Sequence, residues 1–264
     1  MAIKLGSVNF GSIYLGSTKI GQAYLGSVKV FPHKPNYNPL NLPAYTIRLQ
    51  YTNGETPSFS NGTAVQVSSS PNVWDLTYNN SDWQNLFSYH RYGYRGELQK
   101  VLGANASGVT NMYQMFYQSS VREVALFDTS SAVDMRGMFS NTALNVCPEF
   151  DTSRATQMSS MFSECPYLRT VPRLNTSRNR TMNAMFYQCT SLKNIPLFDT
   201  SSVTDMYQAF YQCTYVEGGA LALYQQASSQ AVPPQYHGQC FFSCGSSTQT
   251  GSAELAQIPS DWKT

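Results

Sequence analysis

Residues 182–189 read Met-Asn-Ala-Met-Phe-Tyr-Gln-Cys. Two thioethers, a thiol and an aromatic ring so close together admit three readings: a soft-metal site, a Met-rich binding surface, or core. The rest of the chain decides between them, because the frame Met-x-x-Met-Phe recurs. It appears as Met112/Met115/Phe116, Met135/Met138/Phe139, Met158/Met161/Phe162, Met182/Met185/Phe186 and, with Ala in the fourth place, Met206/Ala209/Phe210. The Phe residues are 23, 23, 24 and 24 positions apart. Seven residues before each first Met stands an Asx: Asn105, Asp128, Asp151, Asn175 and Asp199, in the tripeptides NAS, DTS, DTS, NTS and DTS. Five units in one register are a tandem repeat.

The spacing i, i+3, i+4 predicts that Met, Met and Phe share the inward face of a short helical turn. Asn111, Asp134, Thr181 and Asp205 are polar residues of the kind that cap such a turn. After each Phe comes an extended run with apolar residues three apart, Leu168/Val171/Leu174 or Leu192/Ile195/Phe198, closed by Asp-Thr-Ser. This predicts a short strand ending in an Asx or Ser/Thr turn. The single-residue difference between units falls in the loop after Phe, so helix and strand stay in phase. One strand and one short helix cannot bury their own apolar face, so the units must stack. Equivalent residues then form ladders: Phe116, Phe139, Phe162, Phe186 and Phe210 as the core spine, with Ser119, Thr142, Cys165, Cys189 and Cys213 beside it. The units without Cys carry Ser or Thr, which suits packing and does not suit a soft metal.

The stretch LKNIPLFDTSSVTDMYQAFYQC, and with it residues 103–217, resembles the BspA-type leucine-rich repeat of bacterial surface proteins and many phage proteins, with its FDTSxVTDMxxMF core. Arg180 and Ala209 depart from that pattern. The resemblance implies an α/β repeat solenoid, right-handed, with a short parallel strand and a short helix per unit, used for binding and without catalysis.

The flanks read differently. Residues 218–264 hold an echo of the repeat, Cys240-Phe241 with Cys244 three further on, behind a helical pattern at 220–231 stopped by Pro233-Pro234. A degenerate repeat covered by a helix is what an open end of a stack requires, so 218–264 is expected to be a C-terminal capping unit. Its ending, AELAQIPSDWK, resembles the ends of phage-encoded proteins. Residues 45–102 carry β-like runs, AYTIRLQY, TAVQVSS and VWDLTY, divided by Asn-Gly turns, and predict a β-rich N-terminal cap. The segments DWQNLFSY and GELQKVLGANAS read as lead-ins to the first repeat. Residues 1–31 repeat with period ten, Leu-Gly-Ser at 5–7, 15–17 and 25–27, and predict a hairpin or a meander of about three strands. So few strands are marginal alone, so this anchor module is expected to pair with another chain. The YLGSxKV repeat resembles N-terminal segments of phage structural proteins. Between them, 32–44 is a Pro-rich linker.

Composition narrows the function classes. Only 12% of residues are charged and the formal net charge is +2, so bulk electrostatics point to neither nucleic acid nor an anionic membrane. Glycines at 6, 11 and 16 interrupt the opening stretch, which does not read as a secretory leader. No window approaches the ~18 apolar residues of a spanning helix. His33, His90 and His237 sit in no nucleophile or metal motif, and the glycine-rich phosphate loops and HExxH are absent. Cys240, Cys244 and His237 fall one ligand short of a zinc site. The Asp128, Asp151, Asp199 ladder, interrupted by Asn, reads as turn caps. No enzyme, metal or cofactor is expected. The six Cys are expected as free thiols, although neighbouring rungs, Cys165 with Cys189 or Cys189 with Cys213, come within reach of late oxidation.

Residues that the motif leaves unconstrained are the candidate binding surface: Tyr113, Tyr117, Tyr187, Tyr207 and Tyr211, clustered in the first and last units, with Ser140, Ser159 and Ser163 in the middle. Exposed Tyr on a rigid scaffold suits glycan or protein contacts, or packing on a cap or a sister chain. The combined expectation is a phage virion structural protein, a head or tail fibre or decoration protein. It would bind other virion proteins through its N-terminal module and present the repeats to a host-surface glycan or protein. It would be a homo-oligomer, with a trimer in view, located in the virion, with no membrane insertion. An exported bacterial surface adhesin of BspA type is the alternative.

Overall fold

A computed structural model describes residues 38–52, 62–87 and 98–264, together with the backbone of four short strands before them. The chain divides into two compact units, residues 1–36 and 37–264. In the first, β1 (Ile13–Leu15) pairs antiparallel with β2 (Thr18–Ile20), and β3 (Ala23–Leu25) with β4 (Val28–Phe31). Leu15 lies opposite Thr18 and Leu25 opposite Val28, so two residues connect each pair, the length of a tight hairpin. The period of ten is therefore one hairpin, one of the two forms the repeat allowed. The rest of the 1–31 module and residues 32–37 of the linker lie outside the described residues.

The second unit opens on a five-stranded sheet of order β6-β7-β5-β8-β9, from β5 (Thr46–Tyr51), β6 (Gly62–Ser69), β7 (Asn72–Tyr78), β8 (Leu98–Asn105) and β9 (Glu123–Val124). The runs AYTIRLQY, TAVQVSS and VWDLTY form β5, β6 and β7. Period-two alternation buries Ile47, Leu49 and Tyr51, while Arg48 on the opposite face donates to Asp75 at 2.6 Å. The sheet is antiparallel until β9, which joins β8 in parallel and carries it into the repeats.

From β9 onward one backbone rung per repeat continues the ladder. The amide of Asn145 donates to the Arg122 carbonyl, Arg169 to Asn145, Lys193 to Arg169 and Glu217 to Lys193, at 2.7–3.2 Å. The expected strand of each unit is thus a bridge of one or two residues, such as Val146 with Thr170 and Asn194 with Gly218. Proline is the reason. Pro148, Pro172 and Pro196 each stand three residues after a rung and have no N–H to extend the pairing. In the first unit that place holds Ala125, whose amide donates to the Val101 carbonyl, and there a two-residue strand forms.

The Met-x-x-Met-Phe segment departs from expectation in its backbone. It is a run of turns, with the residue two after the first Met at positive φ in every unit: Gln114 (52°), Gly137 (59°), Ser160 (55°), Ala184 (50°) and Gln208 (55°). A left-handed residue at that point excludes an α-helix. The gain is in where the amides go. Alternate ones close turns within the unit, Met115 to Met112, Tyr117 to Gln114 and Ser119 to Phe116, and the others cross to the next unit, Gln114 to Arg136, Phe116 to Met138 and Gln118 to Ser140. A helix would have kept all of them internal. The side-chain prediction survives: the Met and Phe residues of the frame are fully buried.

The rings stack into one column. Phe87, Phe116, Phe139, Phe162, Phe186, Phe210 and Phe241 follow each other at 5.2–5.8 Å with interplanar angles of 5–14°, and Trp262 closes the column 6.1 Å from Phe241. One frame that the sequence did not reveal lies before the first repeat, and the echo at Cys240-Phe241 completes another after the last. Trp83/Leu86/Phe87 precedes the first repeat, with its amides donating to Asn111, Tyr113 and Met115, and His237/Cys240/Phe241 follows the last. Beyond that, the Phe241 amide donates to the Trp262 carbonyl, so the tail acts as a final partial unit.

Two helices cover the C-terminal side, α1 (Ala220–Ser228) and α2 (Gln249–Gln257), followed by a 3-10 turn at Ser260–Trp262. The start of α1 has no cap of its own. Its Gly219 and Leu221 amides donate to the Glu254 carboxylate of α2 at 3.3 and 3.1 Å. Gly219 sits at φ 98°, and a Cβ there would fall 2.2 Å from the Ile195 carbonyl oxygen.

Candidate binding surface

Two ladders hold the units in register and explain residues the sequence had singled out. In the first, Asp128, Asp151, Asn175 and Asp199 each accept from the amide two residues on, at 2.9–3.1 Å, as turn caps. The Thr that follows is buried and donates to the next unit's Asx carbonyl: Thr129 to Asp151, Thr152 to Asn175 and Thr176 to Asp199, at 2.7–2.9 Å. Thr200 ends the series under α1, where the amide groups of Gln226 and Gln230 donate to its hydroxyl. Asn111, Asp134, Thr181 and Asp205 accept in the same i+2 manner and cap turns.

The second ladder is the thiols. Cys165 donates to the Phe139 carbonyl, Cys189 to Phe162 and Cys213 to Phe186, at 2.9–3.0 Å, and Thr142 fills its rung by donating to the Phe139 carbonyl at 2.8 Å. All six cysteines are free and buried. Loss of solvation pushes the Cys165 thiol up to about 11, and raises those of Cys147, Cys189, Cys213, Cys240 and Cys244 as well. Such thiols are packing groups and poor nucleophiles. The His237 ring lies flat on Trp262, 4.3 Å between centroids.

The five candidate tyrosines separate into groups. Tyr187 and Tyr211 stack at 4.9 Å and 7°, and Phe242, which the sequence reading passed over, stacks on Tyr211 at 4.9 Å. They form an outer aromatic stripe parallel to the buried column. Tyr117 occupies the equivalent place in the first unit and is cut off from the stripe by Ser140 and Ser163. Tyr113 and Tyr207 belong to the column after the first Met. Tyr113 lies under the Arg136 guanidinium at 5.0 Å, and Tyr207 donates to Gln239 at 3.5 Å. Two more exposed aromatics, Tyr167 and Tyr215, project from the loop after Cys, which is one residue longer there than after Ser119 or Thr142. Their signal in the sequence was that insertion.

A buried ring column with a half-buried aromatic stripe beside it runs through the stacked repeats. The chain belongs to the family described as Mycoplasma protein of unknown function, DUF285, which matches residues 81–170 and 110–223, together more than half of its length. The match begins at the Trp83/Leu86/Phe87 frame. No curated protein and no solved structure matches the chain.

Proposed function

We propose that this protein is a BspA-like repeat solenoid that works as a non-enzymatic recognition scaffold, and specifically a phage virion structural protein of head-fibre, tail-fibre or decoration type. The observation that carries the proposal is the pairing of a continuous capped column with the outer stripe Tyr187, Tyr211 and Phe242. Aromatic side chains held on regular backbone lose little entropy on binding, which suits a contact surface for host glycan or protein. The hairpins β1–β2 and β3–β4 are short enough to favour assembly with other virion proteins or with copies of the same chain. Among the described residues no helix is long and apolar enough to cross a membrane. Proteomics of gradient-purified particles tests the reading: the chain copurifies with capsid or tail proteins, and its absence from particles defeats it. Neighbouring portal, capsid or tail genes would point the same way.

The alternative is an exported bacterial surface adhesin. It draws support from the family description, which is written for proteins of a cellular bacterium. Protease treatment of intact cells separates the two, since an adhesin is cleaved at the surface of uninfected cells and a virion protein is not found there.

A further inference from the structure

The repeats differ in one place that opens a cleft. After Phe the first two units run Ser119-Ser120-Val121 and Thr142-Ala143-Leu144, whereas the third runs Cys165-Pro166-Tyr167-Leu168. The loop surface therefore steps outward at Pro166-Tyr167, and a cleft of about 310 Å³ lies at the step, with Ser119, Ser120, Thr142 and Ala143 on one side and Tyr167 on the other. That is the small end of ligand-site volumes, which begin at ~300 Å³.

Its polar groups are unusual. Ser119 is 5% exposed and its hydroxyl has no partner, although the same rung is satisfied at Thr142, Cys165, Cys189 and Cys213. The Gln118 side-chain amide oxygen (Oε1) beside it is also buried and unpartnered. Two orphaned groups lining one cleft mark a site that an external hydroxyl can complete, since a buried polar group without a partner is unfavourable. At the mouth stand the exposed guanidinium of Arg122 and the ring of Tyr167, which is 59% exposed. The lining, among the described residues, includes no carboxylate. The nearby Glu164 accepts from the Asn141 amide at 3.2 Å.

We infer that this cleft is a subsite for an acidic saccharide, a hexuronate ring whose carboxylate is held by Arg122, whose apolar face lies on Tyr167 and whose hydroxyls complete Ser119 and Gln118. A planar guanidinium takes a carboxylate in a bidentate pair, and an aromatic face takes the C–H face of a pyranose. The inference rests on the recognition-scaffold reading and gives its ligand a chemical class and a place distinct from the outer stripe.

Titration calorimetry of the full chain with an oligosaccharide ending in glucuronic acid, against the same oligosaccharide ending in glucose, tests it. The acidic form binds at least about tenfold more tightly. Arg122→Ala reduces it to the level of the neutral form, Tyr167→Ala removes binding of both, and Tyr167→Phe retains it. Lys193→Ala, which deletes an exposed cation elsewhere on the ladder, changes nothing. Arg122, Tyr167 and Lys193 are surface side chains, and thermal unfolding of each variant confirms the fold. Equal affinity for the two saccharides, no binding of either at millimolar concentration, or binding indifferent to Arg122→Ala and Tyr167→Ala overturns the inference. Saccharide binding in a chain absent from particles sinks the virion reading and leaves the cleft. Presence in particles without saccharide binding does the reverse.

Discussion

Between Phe116 and Phe162 each repeat takes 23 residues, and between Phe162 and Phe210 each takes 24. The buried column does not register the difference: ring spacings are 5.3 and 5.8 Å across the short units and 5.4 and 5.2 Å across the long ones. The rim does. Short units carry hydroxyl rungs, Ser119 and Thr142, and a recessed loop. Units with the longer loop carry thiol rungs, Cys165, Cys189 and, after Phe210, Cys213, and the first and last of those loops project Tyr167 and Tyr215. Stacking repeats constrains the inner frame, where every ring touches two others, and leaves the loop free to gain a residue at small entropic cost.

The sharpest way to break this comparison is through the part both regions share. Phe162→Ala, at their junction, removes a fully buried ring with neighbours at 5.8 and 5.4 Å. It is expected to cost about 3–5 kcal/mol in chemical denaturation. A much smaller loss would mean that the column can collapse around a missing ring.

Alkaline pH probes the rungs that differ. Cys165 is raised from 9.0 to about 11 by burial, so the folded state holds a proton that the unfolded chain gives up. Its contribution to stability is intact below pH 9, and it is lost as pH rises towards the folded value. The loss is roughly 3 kcal/mol once both values are passed. Thermal unfolding across that range should show Cys165→Thr, which copies the Thr142 rung, losing less stability than the parent. Equal losses would remove the thiols from the explanation.

The Thr ladder is common to both kinds of unit and weaker than the column. Thr176→Val deletes the 2.7 Å donation to the Asp199 carbonyl and is expected to cost about 1–3 kcal/mol in urea, with Thr152→Val in the same range. At the C-terminal end, Glu254→Ala strips the cap from α1 and should cost about 1 kcal/mol. Hydrogen exchange would place its effect in residues 219–230, away from the repeats.

The smallest expected effect is the most direct test of rim against core. One residue inserted between Thr142 and Ala143 lengthens a short unit to 24. Its stability should change by no more than about 0.5–1 kcal/mol. A larger loss would show that the loop length is part of the packing.

How much of this was legible depended on whether side-chain identity or backbone geometry carried the signal. The i, i+3, i+4 frame placed Met182, Met185 and Phe186 inside, and they are buried. A helical turn and a chain of β-turns both present that spacing on one side, so the spacing alone could not separate them. The left-handed residues that do so are mostly Gln, Ser and Ala, which carry no glycine-like warning in the sequence. The first frame, Trp83/Leu86/Phe87, was missed because Trp and Leu stand in place of Met, although Asp82 before it matches Asp134 and Asp205. Among the candidate tyrosines, Tyr187 and Tyr211 were found and their partner Phe242 was not, since it follows a frame that begins with His237. The cleft was invisible because it is a difference in height between neighbouring loops.

The sequence by itself determined the repeat, its register, its inward residues and the places where units lengthen, because periodic burial must be written in periodic side chains. Tertiary structure alone decided that alternate amides cross between units, that prolines at 148, 172 and 196 reduce each strand to a bridge, and that the Ser119 hydroxyl and the Gln118 side-chain oxygen are left without partners. Those outcomes depend on what the next unit offers across the stack, 23 or 24 residues away in sequence and one hydrogen bond away in space.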